Sequence, residues 1–198
     1  MKLRSVLPAL ALGIATLLSG RVAKAQVGLY LNPVVTRVGI STPDFGPFAF
    51  LGDNTTSRVF GGLDFGGYWD FYHQPGFHAG VDVRDTIIHG NNADLNTFSV
   101  AARISGNPVK YGIRPYAQLA VGAGRSKAPL SIVHITKAEW GLFGGLDYPL
   151  AKHVDFRVVE LGYGTVTTIS SQQERANTSI PAASLFNISS GLVFRFGK

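Results

Sequence analysis

The chain of 198 residues has no cysteine, one methionine and two tryptophans, and only 15% of it is charged. Without cysteine there is no disulfide frame, the usual support of a small exported domain, and no thiolate for a zinc cluster. The five histidines, His73, His78, His89, His134 and His153, are scattered, and none has the HExxH spacing of a helical metal site. These residues imply no cofactor and no metal. No run of Lys or Arg occurs downstream of the first 25 residues, so the basic patch that nucleic acid would need is missing. Gly122-x-Gly124 lacks the lysine of a phosphate-binding loop and is no nucleotide motif. Continuous apolar runs of about 18 residues, the mark of membrane-spanning helices, are also absent after the N-terminus.

One apolar stretch is present, from Val6 to Leu18. It follows Lys2 and Arg4 and precedes Ala23-Lys24-Ala25, which fits a small-residue cleavage site before Gln26. That order is a secretory signal peptide over residues 1–25. A retained membrane anchor fits less well, because the stretch is short and ends in small residues. The whole chain carries +6, but Lys2, Arg4, Arg21 and Lys24 supply four of those charges with no acid among them, so residues 26–198 carry only +2. The apparent basicity is largely a targeting feature.

The remainder is rich in what strands use and poor in what helices use. The chain has 24 glycines, 13 phenylalanines and 7 tyrosines, with few Glu and Lys. Glycine is unfavourable inside helices, and aromatic and β-branched residues favour strands. Eight alternating segments are predicted, at Val27–Ile40, Ser57–Tyr72, Phe77–Ile88, Asn96–Ser105, Ile113–Gly124, Lys137–Tyr148, Val154–Ile169 and Ala182–Phe196. In the second, Val59, Leu63, Phe65, Trp69 and Phe71 share a face opposite Arg58, Gly62, Asp64, Gly66 and Asp70. In the third, Ala79, Val81, Val83 and Ile87 oppose His78, Gly80, Asp82, Arg84 and Thr86. A period of two puts each set on its own side of a sheet. The segments run to about 10 residues or more, enough for a tilted transmembrane strand. Tight connections (His73–Gly76, Gly106–Gly112, Pro149–His153) alternate with longer ones (Ser41–Thr56, Arg125–Thr136, Ser170–Pro181); His89–Leu95 is short for its class. Short turns on one side and long loops on the other fit a closed barrel with its short turns in the periplasm. Trp69, Phe71, Tyr72, Tyr111, Tyr148, Phe194 and Phe196 gather toward the short turns, as in an interfacial girdle.

Alternation alone does not say which face is wet, and a soluble lipocalin-like barrel would turn the apolar face inward. The polar face here mixes glycine with charges of both signs, which suits a narrow interior. Asp64, Asp82, Arg84, Arg103, Arg114, Glu139, Asp147, Arg157 and Arg195, joined by Asp70 and Asp155, are expected to form a paired lumen network rather than a catalytic set. Glu160 is out of phase with Arg157. A bulge near Val158-Val159 would return it to the lumen; without one it faces lipid.

The chain ends on Ser190-Gly191-Leu192-Val193-Phe194-Arg195-Phe196. Gly191, Phe194 and Phe196 resemble the C-terminal insertion signal of bacterial outer-membrane proteins, with Gly197-Lys198 following where those proteins often end on the aromatic. Arg114-Pro115-Tyr116, Gly144-Gly145-Leu146-Asp147-Tyr148 and Arg157 through Tyr163-Gly164 are similar to strand phrases of the small outer-membrane barrel superfamily that includes the OmpA-type transmembrane domain. The resemblance spans residues 26–198. It implies an all-β, eight-stranded antiparallel up-and-down barrel in the bacterial outer membrane. Its partners would be outer-membrane lipid, the insertion machinery and periplasmic chaperones. The expected function is non-enzymatic and structural, with a narrow or plugged lumen. Rival readings are a small channel for apolar solutes, a loop-borne adhesin using Ser41–Thr56 with Phe45, Phe48 and Phe50, and a lipid-modifying enzyme. Lipid A deacylases of this size use a neighbouring His and Ser with an acid. His134-Ile135-Thr136 with Glu139 is the nearest analogue, with Thr for Ser and a different spacing.

Overall fold

The computed structural model describes residues 26–168 and 182–197; the leader expected at 1–25 and the connection expected at 170–181 lie outside the described residues. Eight strands follow one another: β1 (Gln26–Asp44), β2 (Thr55–Gln74), β3 (Phe77–Gly90), β4 (Ala93–Gly106), β5 (Arg114–Lys127), β6 (His134–Ala151), β7 (Val154–Thr167) and β8 (Ala182–Phe196). Each pairs antiparallel with its chain neighbours and β8 closes onto β1, so no edge is left. In lipid, closure is required, because an unpaired edge would leave backbone groups without water. Pairings traced around the ring return displaced along β8, from Ser184 through Val121 to Phe194. That displacement tilts the strands. Among the described residues no helix is long and apolar enough to cross a membrane.

The predicted segments all become strands, most of them longer than expected. The connection at His89–Leu95 contracts to Asn91-Asn92, with φ of 52° and 55°. Two left-handed residues suit a tight hairpin whose twist matches its strands, and Asn tolerates that conformation. At the other end Gly76, with φ 114°, turns β2 into β3.

Alternate positions of β2 to β5 point outward and are exposed and apolar, as at Leu63, Phe65, Val81, Val83, Phe98, Val100, Leu119 and Val121. An apolar belt around a whole barrel is a lipid-facing surface. Phe71, Tyr72, Phe77, Tyr148, Phe194 and Phe196 are exposed toward the short-turn end. A bulge between Asp70 and Tyr72 turns both Phe71 and Tyr72 outward. A second bulge lies between Arg157 and Glu160, at Val158-Val159. It brings Glu160 inside, where it is 2% exposed.

The acid that does lie on the lipid face is Asp85. Its strand partners there are Phe65 and Phe98, and one carboxylate oxygen is buried without a hydrogen-bond partner. Asp85→Leu is therefore expected to stabilise the folded barrel by about 1 kcal/mol, since acids on a lipid face are costly. Urea unfolding in phosphatidylcholine vesicles measures this; a loss of stability would mean that the carboxylate has a partner in the membrane.

Candidate functional site

The lumen has two storeys. In the half nearer the short turns, four inward rings each sit opposite a glycine on the adjacent strand: Tyr30 against Gly66, Tyr68 against Gly28, Tyr116 against Gly145, and Phe143 against Gly162. The rings lie over the places where Cβ atoms would be. A Cβ on Gly162 would come 2.5 Å from Phe143 Cδ1, and one on Gly145 2.5 Å from the Tyr116 hydroxyl. This is aromatic cover of a strand glycine. Gly162→Ala is expected to destabilise the barrel by about 1–3 kcal/mol through overpacking. Partial recovery in Gly162→Ala/Phe143→Leu, read by the same urea titration, would trace the loss to this ring.

Three arginines occupy the space between the rings. Arg103 stacks on Tyr68 and Tyr116 at 4.0 and 4.2 Å, and Arg157 lies 4.6 and 4.7 Å from Tyr30 and Tyr116. Arg84 sits 4.1 Å from the Phe143 ring. Flat guanidinium faces suit ring faces, while their edges remain free to donate. Arg84 donates both Nη groups to Glu160, at 2.7 and 2.8 Å, and Nη2 also to Gln118 at 3.0 Å. It lies 3.4 Å from Asp64 and 3.9 Å from Asp82. Arg157 donates Nε to Asp147 at 3.0 Å and Nη1 to Glu160 at 3.3 Å. Tyr116 and Ser189 donate to Glu160 at 2.5 and 3.3 Å. Glu160 is thus the hub, accepting from two arginines and two hydroxyls. Arg103 reaches Asp70 at 3.5 Å and Asp147 at 3.9 Å.

Arg114 and Arg195 stand apart from this cluster, at the short-turn mouth, where they share Asp155 at 2.9 and 2.5 Å. Glu139 is buried in the lumen but forms no ion pair among the described residues. The expected polar set is therefore split into a central cluster (Asp64, Asp82, Arg84, Arg103, Asp147, Arg157), a mouth pair and a lone acid. Reasoning from sequence left Glu160 undecided; it put Tyr116 on the inward face of the fifth segment but missed the other three rings and the glycine that stands opposite each of the four. Between cluster and mouth remains a void of ≈ 30 Å³ lined by Asp70, His78, Arg103, Arg114, Asp147 and Asp155, about the volume of one water.

The upper storey is apolar. Val34, Val38, Phe60, Ile88, Leu95, Val166 and Leu185 point inward and pack with Phe50 and Leu51 of the loop 45–54. Phe50 stacks on Phe60, with centroids 5.5 Å apart. Buried Asp44 accepts the backbone N–H groups of Phe45 and Phe50 at 3.0 and 3.3 Å, which turns the loop back into the mouth. This corrects the expectation that Phe45, Phe48 and Phe50 form one outer surface: Phe50 is 1% exposed, whereas Phe45 and Phe48 face out. Above the plug a cleft of ≈ 500 Å³ opens between Gly46, Pro47, Asp53, Asn91, Asn92, Pro129 and Leu130. Near it, Leu130, Ile132 and Val133 are exposed.

His134 and Thr136 are exposed, and Glu139 is buried on the opposite, lumen face of β6. The fold does not bring these three together. At the C-terminus Phe194 and Phe196 face outward, and a Cβ on Gly191 would meet the Asn32 backbone at 2.7 Å.

No protein-family model matches the chain, and no curated protein matches it. Solved structures with this fold include Neisserial surface protein A, with a TM-score of 0.58 and 11% identity over 86% of this chain and 97% of that one. The attachment invasion locus protein of Yersinia pestis aligns with a TM-score of 0.54 and 11% identity, over 88% of this chain and 100% of that one. The same Yersinia pestis protein, in complex with the heparin analogue sucrose octasulfate, aligns at 0.53 with 13% identity over 88% and 100%. The likeness is one of fold: an eight-stranded outer-membrane barrel. The apolar belt, the polar lower interior and this fold together make the chain a bacterial outer-membrane protein.

Proposed function

We propose that this protein is a sealed, non-enzymatic outer-membrane barrel with a structural role in the envelope. The observation that carries the reading is the double obstruction of the lumen. Arg84, Arg103 and Arg157, wedged between aromatic rings, fill the lower half, and Phe50 and Leu51 fill the upper mouth. Eight strands enclose a space that side chains can fill, and here both storeys are filled. The opposite facing of Thr136 and Glu139 removes support from the hydrolase reading, because a triad requires its members within hydrogen-bond reach. Gly191, Phe194 and Phe196 serve in this reading as the segment recognised by the insertion machinery, after escort by periplasmic chaperones.

In planar bilayers the purified barrel is expected to give no stable unitary conductance steps. Reproducible steps that persist across preparations would reject the sealed reading and favour a channel. A second reading, loop-borne binding at the cell exterior, has its own support. Leu130 lines the cleft, and Phe45, Phe48, Ile132 and Val133 are apolar and exposed on two of the connections that form it; exposed apolar groups gathered at one end mark interaction surfaces.

A further inference from the structure

The outer face changes character sharply on three adjacent strands toward the long-loop end. On β5 the outward residues run Leu119, Val121 and Ala123, then Arg125 and Lys127. On β4 they run Val100 and Phe98, then Asn96 and Asp94; on β6 they run Leu142, Trp140 and Ala138, then Thr136 and His134. The pairing aligns these changes. Asn96 stands beside Arg125 and Arg125 beside Thr136, forming one outward row of three polar groups. Arg125 and Thr136 are exposed. Directly below, toward the belt, lies the row Phe98, Ala123 and Ala138. The two alanines are exposed and small, while Phe98 and Trp140 are large and exposed at 52% and 43%. The surface there is a shallow apolar depression between two aromatic side chains, roofed by a guanidinium, an amide and a hydroxyl.

The charges around it are known. Lys127, next along β5, is 3.9 Å from Asp94, and Asp94 also pairs with His89. Among the described residues no carboxylate pairs with Arg125. Asp85 lies on β3, on the far side of Phe98. A free guanidinium flanked by two polar side chains presents several donors at one point, the arrangement that receives phosphate oxygens. Its position at the boundary of the apolar belt places those donors at headgroup depth, where a basic residue attracts an anionic lipid.

We propose that this face of β4–β6 is a binding site for a phosphate-bearing lipid of the long-loop leaflet, with the phosphate on Arg125, Asn96 and Thr136 and an acyl chain lying over Ala123 and Ala138. The row of donors alone would accept any phosphate, but the small-residue depression continuous with it selects one that carries a chain.

The test uses the full barrel refolded into phosphatidylcholine nanodiscs, with binding of diphosphoryl lipid A and of its dephosphorylated counterpart measured by native mass spectrometry. The wild-type protein is expected to retain the phosphorylated lipid at least tenfold more strongly. Arg125→Ala is expected to remove that preference, and Arg125→Lys to keep part of it. Ala123→Phe/Ala138→Phe leaves the charge in place and fills the depression, and is expected to weaken binding several-fold. All three variants alter outward side chains only, and heat-modifiable gel migration checks that each is folded. Equal retention of both lipids, or an unchanged preference in Arg125→Ala, overturns the proposal. So does displacement of the lipid by millimolar inorganic phosphate with the Ala123→Phe/Ala138→Phe variant unaffected, since the site would then hold free phosphate and no chain.

Discussion

Glu160→Ala is expected to lower the stability of the barrel by about 3–5 kcal/mol, the cost of breaking a buried ion pair by removing one partner. Glu160 accepts both Nη groups of Arg84, one from Arg157, and the hydroxyls of Tyr116 and Ser189. Its removal leaves two guanidiniums in a closed space with fewer carboxylates to answer them. Arg84 retains Asp64 at 3.4 Å and Arg157 retains Asp147 at 3.0 Å, so the effect falls short of two stranded charges. The measurement is a urea titration in vesicles followed by tryptophan fluorescence and by gel migration. A double-mutant cycle with Arg84→Met separates the pair from its surroundings, because residues in one network do not add. Arg84→Met/Glu160→Leu is expected to recover much of the loss, since apolar replacement of a buried pair is often neutral. A change below about 1 kcal/mol in Glu160→Ala would mean that water enters the lumen and screens the arginines, and the sealed reading would fall with it.

Phe50→Ala is expected to cost about 3–5 kcal/mol, the range for a buried Phe truncated to Ala. Phe50 is 1% exposed and packed face to face on Phe60 at 5.5 Å, and the inward wall around it is already set by strand pairing, so the space cannot easily collapse. The change also removes the apolar anchor of the loop 45–54. Its N–H bond to Asp44 remains, at 3.3 Å. The variant should nevertheless stay silent in planar bilayers, because the arginine–aromatic layer below still closes the lumen. Conductance in Phe50→Ala alone would show that the loop is the only seal. Conductance in neither single variant but in Phe50→Ala/Arg84→Ala would show that there are two.

Each expectation separates what a local pattern carries from what pairing adds. The lumen residues on β2 and β3 were legible because period-two alternation is a property of a single strand: Asp64, Asp82 and Arg84 follow it without interruption. Glu160 was not, because a bulge depends on two residues of β7 standing opposite one of β8. Asp85 was passed over for a related reason. It breaks the apolar face of β3, and only the register shows Phe65 and Phe98 beside it with no cation between. The inward rings needed register as well, since a tyrosine and a glycine on separate segments carry no mark that they will lie face to face.

By itself, then, the sequence determined the class of this protein. Alternating segments of transmembrane length, short turns alternating with longer loops, and charge gathered mainly on one face are local and compositional features, and they lead to a barrel with a polar interior and a largely apolar exterior. Tertiary structure decided how that interior is closed. The stacking of arginines between rings, the gathering of carboxylates on one hub, the return of Phe50 into the mouth and the alignment of Arg125 with Asn96 and Thr136 all depend on which residues meet across strands. Those meetings are set by register, bulges and ring closure, which are properties of the assembled sheet and of no segment alone.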